Sequence, residues 1–282
     1  MKIRPFKSIV QRYKAVFFDS YGVLKNYNGL IDGAQETIEF LEEKGIDWLV
    51  LTNDASRSPH ELADKLQAAG LHAVTYDRMI SSGMMAREYL RAKIRKGKVA
   101  YLGTEASAHY IEAAGLETVP VRDLTPELER QVRALVLLDD EGFDWFRDIN
   151  RAINLLLDYN IPTVIANTDK RYPVSPHRVS VAIGGIANLM ETVVRKRFIR
   201  FGKPDTQMFV YAYELLRQRT PVARHEILMV GDTLQTDIIG GNKFGLDTAL
   251  VLTGNTLPER AKTDIKSYGI IPDYICESIA IE

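Results

Sequence analysis

Several side chains that could do chemistry lie directly after short apolar segments of the sequence. Asp19 and Asp232 each end such a segment, Thr52 and Asn53 follow another, and Lys203 precedes a helical stretch. Two carboxylates that converge with no nearby base require a cation, and their hard oxygen atoms suit Mg²⁺. A lysine that faces such a site neutralises a phosphate, and a carboxylate beside Mg²⁺ can act as a nucleophile that forms an aspartyl-phosphate. The residue types alone leave other arrangements open.

The apolar segments alternate with helical patterns, and this alternation predicts how the side chains come together. Residues 14–19 and 47–52 are typical of strands that are buried on both faces. A helix follows the second strand, with Ser58 as its N-cap and Glu61 completing a capping box. This order predicts a parallel sheet with right-handed crossovers. Open parallel sheets bind ligands at the carboxyl ends of their strands, so we expect the chemical groups to lie at that edge.

The middle of the chain repeats the same pattern and is long enough to hold a core of its own. Residues 134–138 and 163–166 are typical of buried strands, and a helical pattern lies between them. We therefore predict an α/β fold with two domains. A discontinuous parallel-sheet domain covers residues 1–82 and 197–282, and an α/β insert covers residues 83–196.

Composition and charge exclude several classes of protein. Lys and Arg number 36 against 37 Asp and Glu, so the formal charge is −1, without the basic excess of a general nucleic-acid binder. No apolar run approaches about 18 residues, so we expect no membrane span. The one cysteine, Cys276, can form no internal disulfide and no cysteine-based zinc site. The basic start lacks a long apolar segment and a small-residue cleavage site, so we expect a cytoplasmic protein.

Four segments resemble, in order, the four motifs of the haloacid-dehalogenase superfamily of phosphatases. They are Phe17-Phe18-Asp19-Ser20-Tyr21-Gly22-Val23-Leu24, Leu51-Thr52-Asn53, Gly202-Lys203-Pro204 and Gly231-Asp232-Thr233-Leu234-Gln235-Thr236-Asp237. The insert is similar to the large type-two cap of class IIA, which includes nitrophenyl-phosphatase-like and nucleotidase-like enzymes. The resemblance implies a Rossmann-like three-layer core with an inserted α/β cap. It also implies an Mg²⁺-dependent phosphatase that acts on a small phosphorylated metabolite, such as a sugar phosphate or a nucleotide.

The resemblance implies a metal site built from four residues. Asp19 would be both the nucleophile and an Mg²⁺ ligand, and Tyr21, two residues further on, would lend its backbone carbonyl to the metal. Asp232 would be the acidic ligand of the fourth motif, and Asp237 would support the metal from beside it. Phosphoryl transfer at such a site depends on positioning and electrostatics.

The resemblance also implies the contacts with the phosphoryl group. Thr52 and Asn53 would hydrogen-bond its oxygen atoms, and Lys203 would neutralise charge on the phosphate and on Asp19. Asp54 adds a carboxylate where the class more often has asparagine, and it could contact the substrate or serve as a surrogate acid. The simpler interpretation is that Asp54 only caps the turn before Ser58.

Tyr21 departs from the usual Asp-x-Asp sequence of these phosphatases, in which the second aspartate protonates the leaving oxygen. General acid catalysis contributes roughly 10²–10⁴-fold, so its loss corresponds to about 3–5 kcal/mol of barrier. We therefore expect slow hydrolysis of alkyl phosphates and a smaller effect on esters with good leaving groups.

The alternative is a catalytically impaired protein that binds a phosphorylated ligand. Dehalogenases also carry Asp-x-Tyr-Gly, but they need no Mg²⁺ and lack the acidic pair Asp232 and Asp237, so that alternative is weaker.

Two polar segments of the insert follow predicted strands. Asp139-Asp140-Glu141 could line the entrance to the site, and Asn167-Thr168-Asp169 resembles a cap motif of class IIA. Polar segments at strand ends are usually only solvated, and we expect the same here.

Members of the class often dimerise through the cap, so a homodimer remains an open alternative. We expect no nucleic-acid or membrane partner.

Overall fold

The structure of the protein, a computed structural model, describes residues 2–175 and 178–281. Its strands, in chain order, are β1 (Ala15–Phe18), β2 (Lys25–Asn26), β3 (Gly29–Leu30), β4 (Asp47–Thr52), β5 (Met79–Ser81), β6 (Lys98–Leu102), β7 (Glu117–Pro120), β8 (Val132–Leu137), β9 (Thr163–Ile165), β10 (Arg171–Ser175), β11 (Arg178–Val181), β12 (Ile199–Arg200), β13 (Ile227–Gly231), β14 (Asp247–Val251) and β15 (Tyr274–Cys276).

The α-helices, again in chain order, are α1 (Phe6–Val10), α2 (Ala34–Glu43), α3 (Pro59–Ala68), α4 (Ser82–Lys93), α5 (Glu105–Glu112), α6 (Pro126–Glu129), α7 (Trp145–Asp158), α8 (Ile183–Val194), α9 (Thr206–Arg217), α10 (Ile239–Phe244) and α11 (Pro258–Tyr268). A π-helical turn, Leu234–Ile238, leads into α10. Across the part of the chain that the structure describes, none of the helices has the length and apolar character needed to cross a membrane.

Six strands form a parallel sheet in the order β15-β14-β13-β1-β4-β5. From β1 the chain moves outwards through β4 and β5, and the later strands move in the other direction from β13. The direction of winding therefore changes between β1 and β13. In open α/β sheets a crevice forms at the carboxyl ends of the strands at such a point. We call this sheet and its helices the core.

Strand β1 is buried on both faces, and this burial makes the core three-layered. Phe17 packs on the side of Phe209 from α9, whereas Phe18 packs on the side of Ile38 from α2. Burying each such side chain contributes about 1.5–3 kcal/mol. Helices therefore cover both faces of the sheet, and the predicted α/β fold with a parallel-sheet core is confirmed.

Five strands of the second sheet are also parallel, in the order β12-β9-β8-β6-β7. We call the insert that contains most of it, residues 83–196, the cap. Strand β12 lies beyond the predicted boundary at residue 197, yet it pairs with β9. The chain therefore adds one more strand to the cap sheet before it returns to the core. The predicted domain division stays a prediction.

The carboxyl ends of the two sheets face each other. The segments that follow β8 and β9 line the same cavity as the segments that follow β1 and β4. An antiparallel hairpin of β10 and β11 also belongs to the cap and reaches towards the core. The fold therefore brings two sets of strand ends, one from each sheet, to a single site.

The predicted capping box at the start of α3 is confirmed. Ser58 Oγ accepts a hydrogen bond from the Glu61 amide at 3.3 Å, and the Ser58 amide donates to Glu61 Oε2 at 3.0 Å. Pro59 occupies the first turn, where its missing N–H costs nothing. The capping box fixes the point at which the chain leaves the turn after β4 and enters the helix.

We expect Ser58→Ala to lower the free energy of unfolding by about 1 kcal/mol, because the Glu61 amide loses its acceptor. Urea denaturation followed by circular dichroism would measure the loss. Ser58→Thr keeps a hydroxyl acceptor and should retain most of the stability. Equal losses in the two variants would contradict a capping role for the hydroxyl.

Candidate active site

Three neighbouring strands of the core end in polar side chains, as the sequence predicts. Asp19 follows β1, Thr52 ends β4 and Asp232 follows β13. One carboxylate oxygen each from Asp19, Asp232 and Asp237 lie within 4.8 Å of one another. The fold therefore brings together the three carboxylates that the sequence analysis assigns to a metal site.

Lys203 lies in the centre of this group and is only 1% exposed. Its Nζ lies 2.7 Å from Asp19 Oδ1 and donates a hydrogen bond to the Leu51 carbonyl at 2.8 Å. Asp237 Oδ1 also lies 2.7 Å from Nζ, an ion-pair distance without hydrogen-bond alignment. Burial by itself lowers the pKa of an ammonium, but the two carboxylates outweigh burial and raise the pKa of Lys203 above its ordinary value. Lys203 therefore stays charged.

Local hydrogen bonds hold the two acidic residues that follow β13. Asp232 Oδ2 accepts from the Asn255 amide at 2.6 Å, and Asp232 Oδ1 accepts from the Thr233 hydroxyl at 2.9 Å. The π-helical turn carries Asp237 back towards Asp232, and Asp237 Oδ2 accepts from the Thr233 amide at 3.1 Å. The protein itself therefore orients both carboxylates.

The carboxylate cluster carries more negative charge than Lys203 can neutralise. Burial, with a contribution from Asp237, raises the pKa of Asp232 to about 7. Burial also raises the pKa of Asp19 well above its usual range, and the nearby carboxylates add to the effect while Lys203 opposes it. Converging hard oxygen atoms with an uncompensated negative charge fit a divalent cation such as Mg²⁺.

Two glycines allow the backbone to approach Asp232 closely. A Cβ atom on Gly254 would lie 2.0 Å from Asp232 Oδ2, and a Cβ atom on Gly22 would lie 2.3 Å from the same oxygen. Gly22 also has a φ of +87°, a conformation that side chains other than glycine rarely adopt. Any side chain at either position would displace the carboxylate.

The two polar residues at the end of β4 differ in what they contact. The Thr52 hydroxyl faces the cavity and accepts from the Asp54 amide at 3.1 Å. Asn53 Nδ2 donates towards the cap, to Thr168 Oγ1 at 3.0 Å and to Asp169 Oδ1 at 2.9 Å. The side chain of Asn53 therefore joins core to cap, and its predicted contact with phosphoryl oxygens stays a prediction.

Asp54 lines the cavity and also shapes the turn that follows β4. Its Oδ1 accepts from the Ser56 amide at 2.8 Å. This bond is the turn-capping arrangement that the simpler interpretation of Asp54 predicts. A contact between Asp54 and a substrate stays a prediction.

Tyr21 reaches from the core to the cap. Its hydroxyl donates to the Pro173 carbonyl at 2.5 Å, and its ring lies edge-on to Tyr172 with the centroids 6.2 Å apart. Burial, followed by the neighbouring Tyr172, raises the pKa of Tyr21 above its ordinary value. The hydroxyl proton is therefore both held by Pro173 and weakly acidic. The Tyr21 carbonyl accepts no hydrogen bond from the described residues and is free for the predicted metal contact.

A cavity of about 250 Å³ lies between core and cap. Asp19, Tyr21 and Thr52 line it from the core, and Asp139 and Asp169 line it from the cap. Burial raises the pKa of Asp169 to about 6, although the Asn53 amide opposes the shift. Burial, with Asp140 next in effect, raises the pKa of Asp139 to about 7.

The expectation that the polar segments of the cap are only solvated is wrong. Asp139 follows β8 and Asp169 lies shortly after β9, so both stand at the edge of the cap sheet that faces the core. Gly184 permits this arrangement, because a Cβ atom there would lie 2.6 Å from the Asp169 carbonyl oxygen. A carboxylate directly after a buried strand is the signal in the sequence, but the sequence alone does not show which edge of the cap faces the core.

Two segments of the chain match known hydrolase families. Residues 16–117 match the family described as haloacid dehalogenase-like hydrolase, and residues 200–280 match one described as HAD-hydrolase-like. The chain is 31% identical to chronophin of Bos taurus over 281 residues, covering 97% of this chain and 93% of that protein.

Solved structures show the same relationship. A Cytophaga hutchinsonii protein, described as a possible sugar phosphatase of the HAD superfamily, has a TM-score of 0.96 and 54% identity, covering 100% of this chain and 99% of that one. A glycerol phosphate phosphatase from Mycobacterium tuberculosis, solved in complex with calcium, has a TM-score of 0.76 and 25% identity, covering 99% and 76%.

Fold, site and similarity agree on the class of protein. The core is a parallel sheet, and acidic side chains and a buried lysine meet at the ends of its strands. This arrangement is characteristic of one class of hydrolase. The chain belongs to the haloacid-dehalogenase superfamily of hydrolases, and it is therefore an enzyme. The superfamily resemblance drawn from the four motifs is confirmed.

The raised pKa of Asp232 predicts how stability depends on pH in the absence of metal. The folded protein holds a proton on Asp232 up to about pH 7, whereas the unfolded chain releases it at lower pH, so stability falls as the pH rises through this interval. Asp232→Asn removes this titration. The free energy of unfolding of the variant should therefore fall less steeply with pH than that of the wild type, and the two slopes should differ by about 1 kcal/mol per pH unit. Urea denaturation in EDTA from about pH 5 to pH 8 measures the difference.

The control for this measurement is Asp64→Asn, which changes an exposed carboxylate on α3 and should leave the slope unchanged. Added Mg²⁺ should then stabilise the wild-type protein at neutral pH, because it offsets the buried negative charge. Asp232→Asn should respond less. Equal stabilisation of both proteins by Mg²⁺ would exclude Asp232 as a ligand.

Proposed function

We propose that this hydrolase is a class IIA-like, Mg²⁺-dependent phosphatase that acts on a small phosphorylated metabolite through an aspartyl-phosphate on Asp19. The observation that carries the proposal is the buried ammonium of Lys203, which lies 2.7 Å from both Asp19 and Asp237. A fixed positive charge beside a carboxylate nucleophile is suited to stabilising a transferring phosphoryl group. The relatives named as a sugar phosphatase and a glycerol phosphate phosphatase support this reaction class.

In the first step Asp19 attacks phosphorus. Its Oδ1 is held by Lys203 Nζ at 2.7 Å and by the Ser20 amide at 2.6 Å, which leaves Oδ2 to form the new bond. The bond between phosphorus and the leaving oxygen breaks, and its electron pair stays with that oxygen. Thr52 and Lys203 bind the phosphoryl oxygens during the transfer.

In the second step a water molecule attacks phosphorus of the aspartyl-phosphate. The acyl–phosphate bond breaks, inorganic phosphate leaves, and the carboxylate of Asp19 returns to its starting state. Mg²⁺ held by Asp19, Asp232, Asp237 and the Tyr21 carbonyl would supply a positive charge that offsets repulsion between these carboxylates and the phosphoryl group.

The size of the cavity bears on the substrate. A volume of about 250 Å³ lies just below the roughly 300–1,000 Å³ of ordinary ligand pockets. It favours a compact sugar or polyol phosphate over a nucleotide. Cationic side chains line the same cavity from both sides and suit an anionic substrate. They are Lys25 and Arg57 from the core and Arg171 from the cap.

Two alternatives from the sequence analysis are less well supported. A protein that only binds a phosphorylated ligand has no need for a buried lysine beside a carboxylate nucleophile, and the chain keeps both. A dehalogenase has no need for the cluster of Asp232 and Asp237. The homodimer through the cap and the cytoplasmic location stay predictions.

Asp19→Asn should abolish phosphate release, with a loss of at least about 10³-fold in kcat, because it removes the nucleophile. The test measures inorganic phosphate from nitrophenyl phosphate, acyl phosphates, sugar phosphates and nucleotides, with Mg²⁺ and with EDTA. Turnover should need both Mg²⁺ and Asp19.

Glu43→Gln, an exposed change at the last residue of α2, which leads into the amino end of β4, serves as the preparation control. Wild-type turnover that survives in Asp19→Asn would exclude the covalent route. No turnover above that variant with any ester would favour the ligand-binding alternative.

A further inference from the structure

The site lacks an evident source for the proton that an alkoxide leaving group needs. Tyr21 occupies the position where related phosphatases carry an acid, but its hydroxyl donates to the Pro173 carbonyl at 2.5 Å. That proton is directed at the cap backbone, away from the cavity. Another group must protonate the leaving oxygen if the enzyme hydrolyses alkyl phosphates.

The geometry of phosphoryl transfer indicates where that group must lie. The attacking and leaving oxygens are roughly in line through phosphorus. Because Asp19 attacks from the core edge of the cavity, the leaving oxygen lies towards the opposite wall. That wall is formed by the cap segments that follow β8 and β9.

Four carboxyl groups of the cap line this wall, those of Asp139, Asp140, Glu141 and Asp169. Glu141 is exposed, and two of the others already accept hydrogen bonds from other side chains. Asp140 accepts from the Tyr172 hydroxyl at 3.0 Å, and Asp169 accepts from Asn53 Nδ2 at 2.9 Å. Asp139 accepts only from the Asp140 backbone amide, at 2.9 Å through Oδ1. Across the part of the chain that the structure describes, no side chain donates to the Asp139 carboxylate.

We propose that Asp139 is the general acid of this enzyme and takes over, from the cap, the role that Tyr21 cannot perform. The inference rests on the proposed phosphatase function. The position of Asp139 is fixed by the fold, since it follows β8 and its amide lies against the β6–α5 turn. Gly103 permits that approach, because a Cβ atom there would lie 3.3 Å from the Asp139 amide nitrogen.

The surroundings of Asp139 favour the protonated form that an acid needs. Burial raises its pKa to about 7, with further contributions from Asp140, Asp54 and Glu141. The other charged and titratable groups that line the same cavity are Asp19, Tyr21, Lys25, Arg57, Lys65, Asp169, Arg171 and Tyr172. A group with a pKa near the working pH can both donate and accept a proton.

The proton balance of the two steps then closes. As Asp19 Oδ2 bonds to phosphorus, the proton on the Asp139 carboxyl moves to the leaving oxygen, and a neutral alcohol departs. Asp139 is left as a carboxylate. It accepts a proton from the water that attacks the aspartyl-phosphate, so phosphate is released and Asp139 is ready to donate again.

The test compares Asp139→Asn with the wild-type protein on two kinds of ester in the presence of Mg²⁺. With alkyl phosphates such as glycerol phosphate, kcat/KM should fall by about 10²–10⁴-fold. With nitrophenyl phosphate it should change by less than about threefold, because that leaving group needs no proton. A plot of rate against leaving-group pKa should be shallow for the wild type and steep for Asp139→Asn.

The pH profile gives a second readout that a purely structural role would not produce. The wild-type kcat/KM on alkyl phosphates should decline above about pH 7, where Asp139 loses its proton. Asp139→Asn should lack that decline, and Asp139→Glu should restore part of it. Thermal melting of each variant confirms that it is folded.

Glu141→Gln is the matched control, since it removes one negative charge from the same loop and the same cavity. It should affect the two kinds of ester equally. Asp54→Asn and Tyr21→Phe test the other donors. If either shows the leaving-group effect while Asp139→Asn does not, the assignment of Asp139 is overturned.

The outcomes separate this inference from the function on which it rests. Asp19-dependent turnover combined with equal effects of Asp139→Asn on both ester classes would overturn the assignment of Asp139 and leave the phosphatase proposal intact. Absence of Asp19-dependent turnover on every ester would overturn both.

Discussion

The buried ammonium of Lys203 is the interaction on which the rest of the site depends. A lysine that is 1% exposed is tolerated only if nearby groups compensate for its lost hydration. Asp19, Asp237 and the Leu51 carbonyl all lie within 2.8 Å of its Nζ. These groups come from the ends of β1 and β4 and from the turn after β13, so the order of strands in the core sheet is what satisfies the charge. The contacts that stabilise the buried Lys203 in the fold are therefore the same contacts that the proposed phosphate chemistry uses.

The same charge balance explains why the backbone around the site is so restricted. Three carboxylates against one lysine leave a negative excess, and desolvation raises the pKa of Asp232 to about 7. The carboxylates can converge only because Gly22 and Gly254 offer no side chain to Asp232 Oδ2. The protein thus positions this excess negative charge through its own backbone and hydrogen bonds, as preorganised active sites do.

The sequence predicted the core of the enzyme better than it predicted the cap. Residues 47–52 and the capping box at Ser58 lie where local patterns put them, because a buried strand and a helix start are determined by neighbouring residues. The sequence does not reveal strand β12, because two residues carry no periodicity and the pairing with β9 is decided by the tertiary fold. The sequence does not reveal the place of Asp139 for a related reason: whether a strand end meets water or another domain depends on the packing of two sheets.

Tyr21 and the proposed acid Asp139 together couple closure of the cap to the chemistry. A carboxylate on the core would be beside the phosphoryl group whether the cap is open or closed. Tyr21 binds the cap through Pro173, and Asn53 binds it through Asp169, so core residues near Asp19 hold the cap in place. With Asp139 as the acid, the proton donor reaches the leaving oxygen only in that closed arrangement. Hydrolysis of a poor leaving group then requires closure, which also excludes water from the charged site.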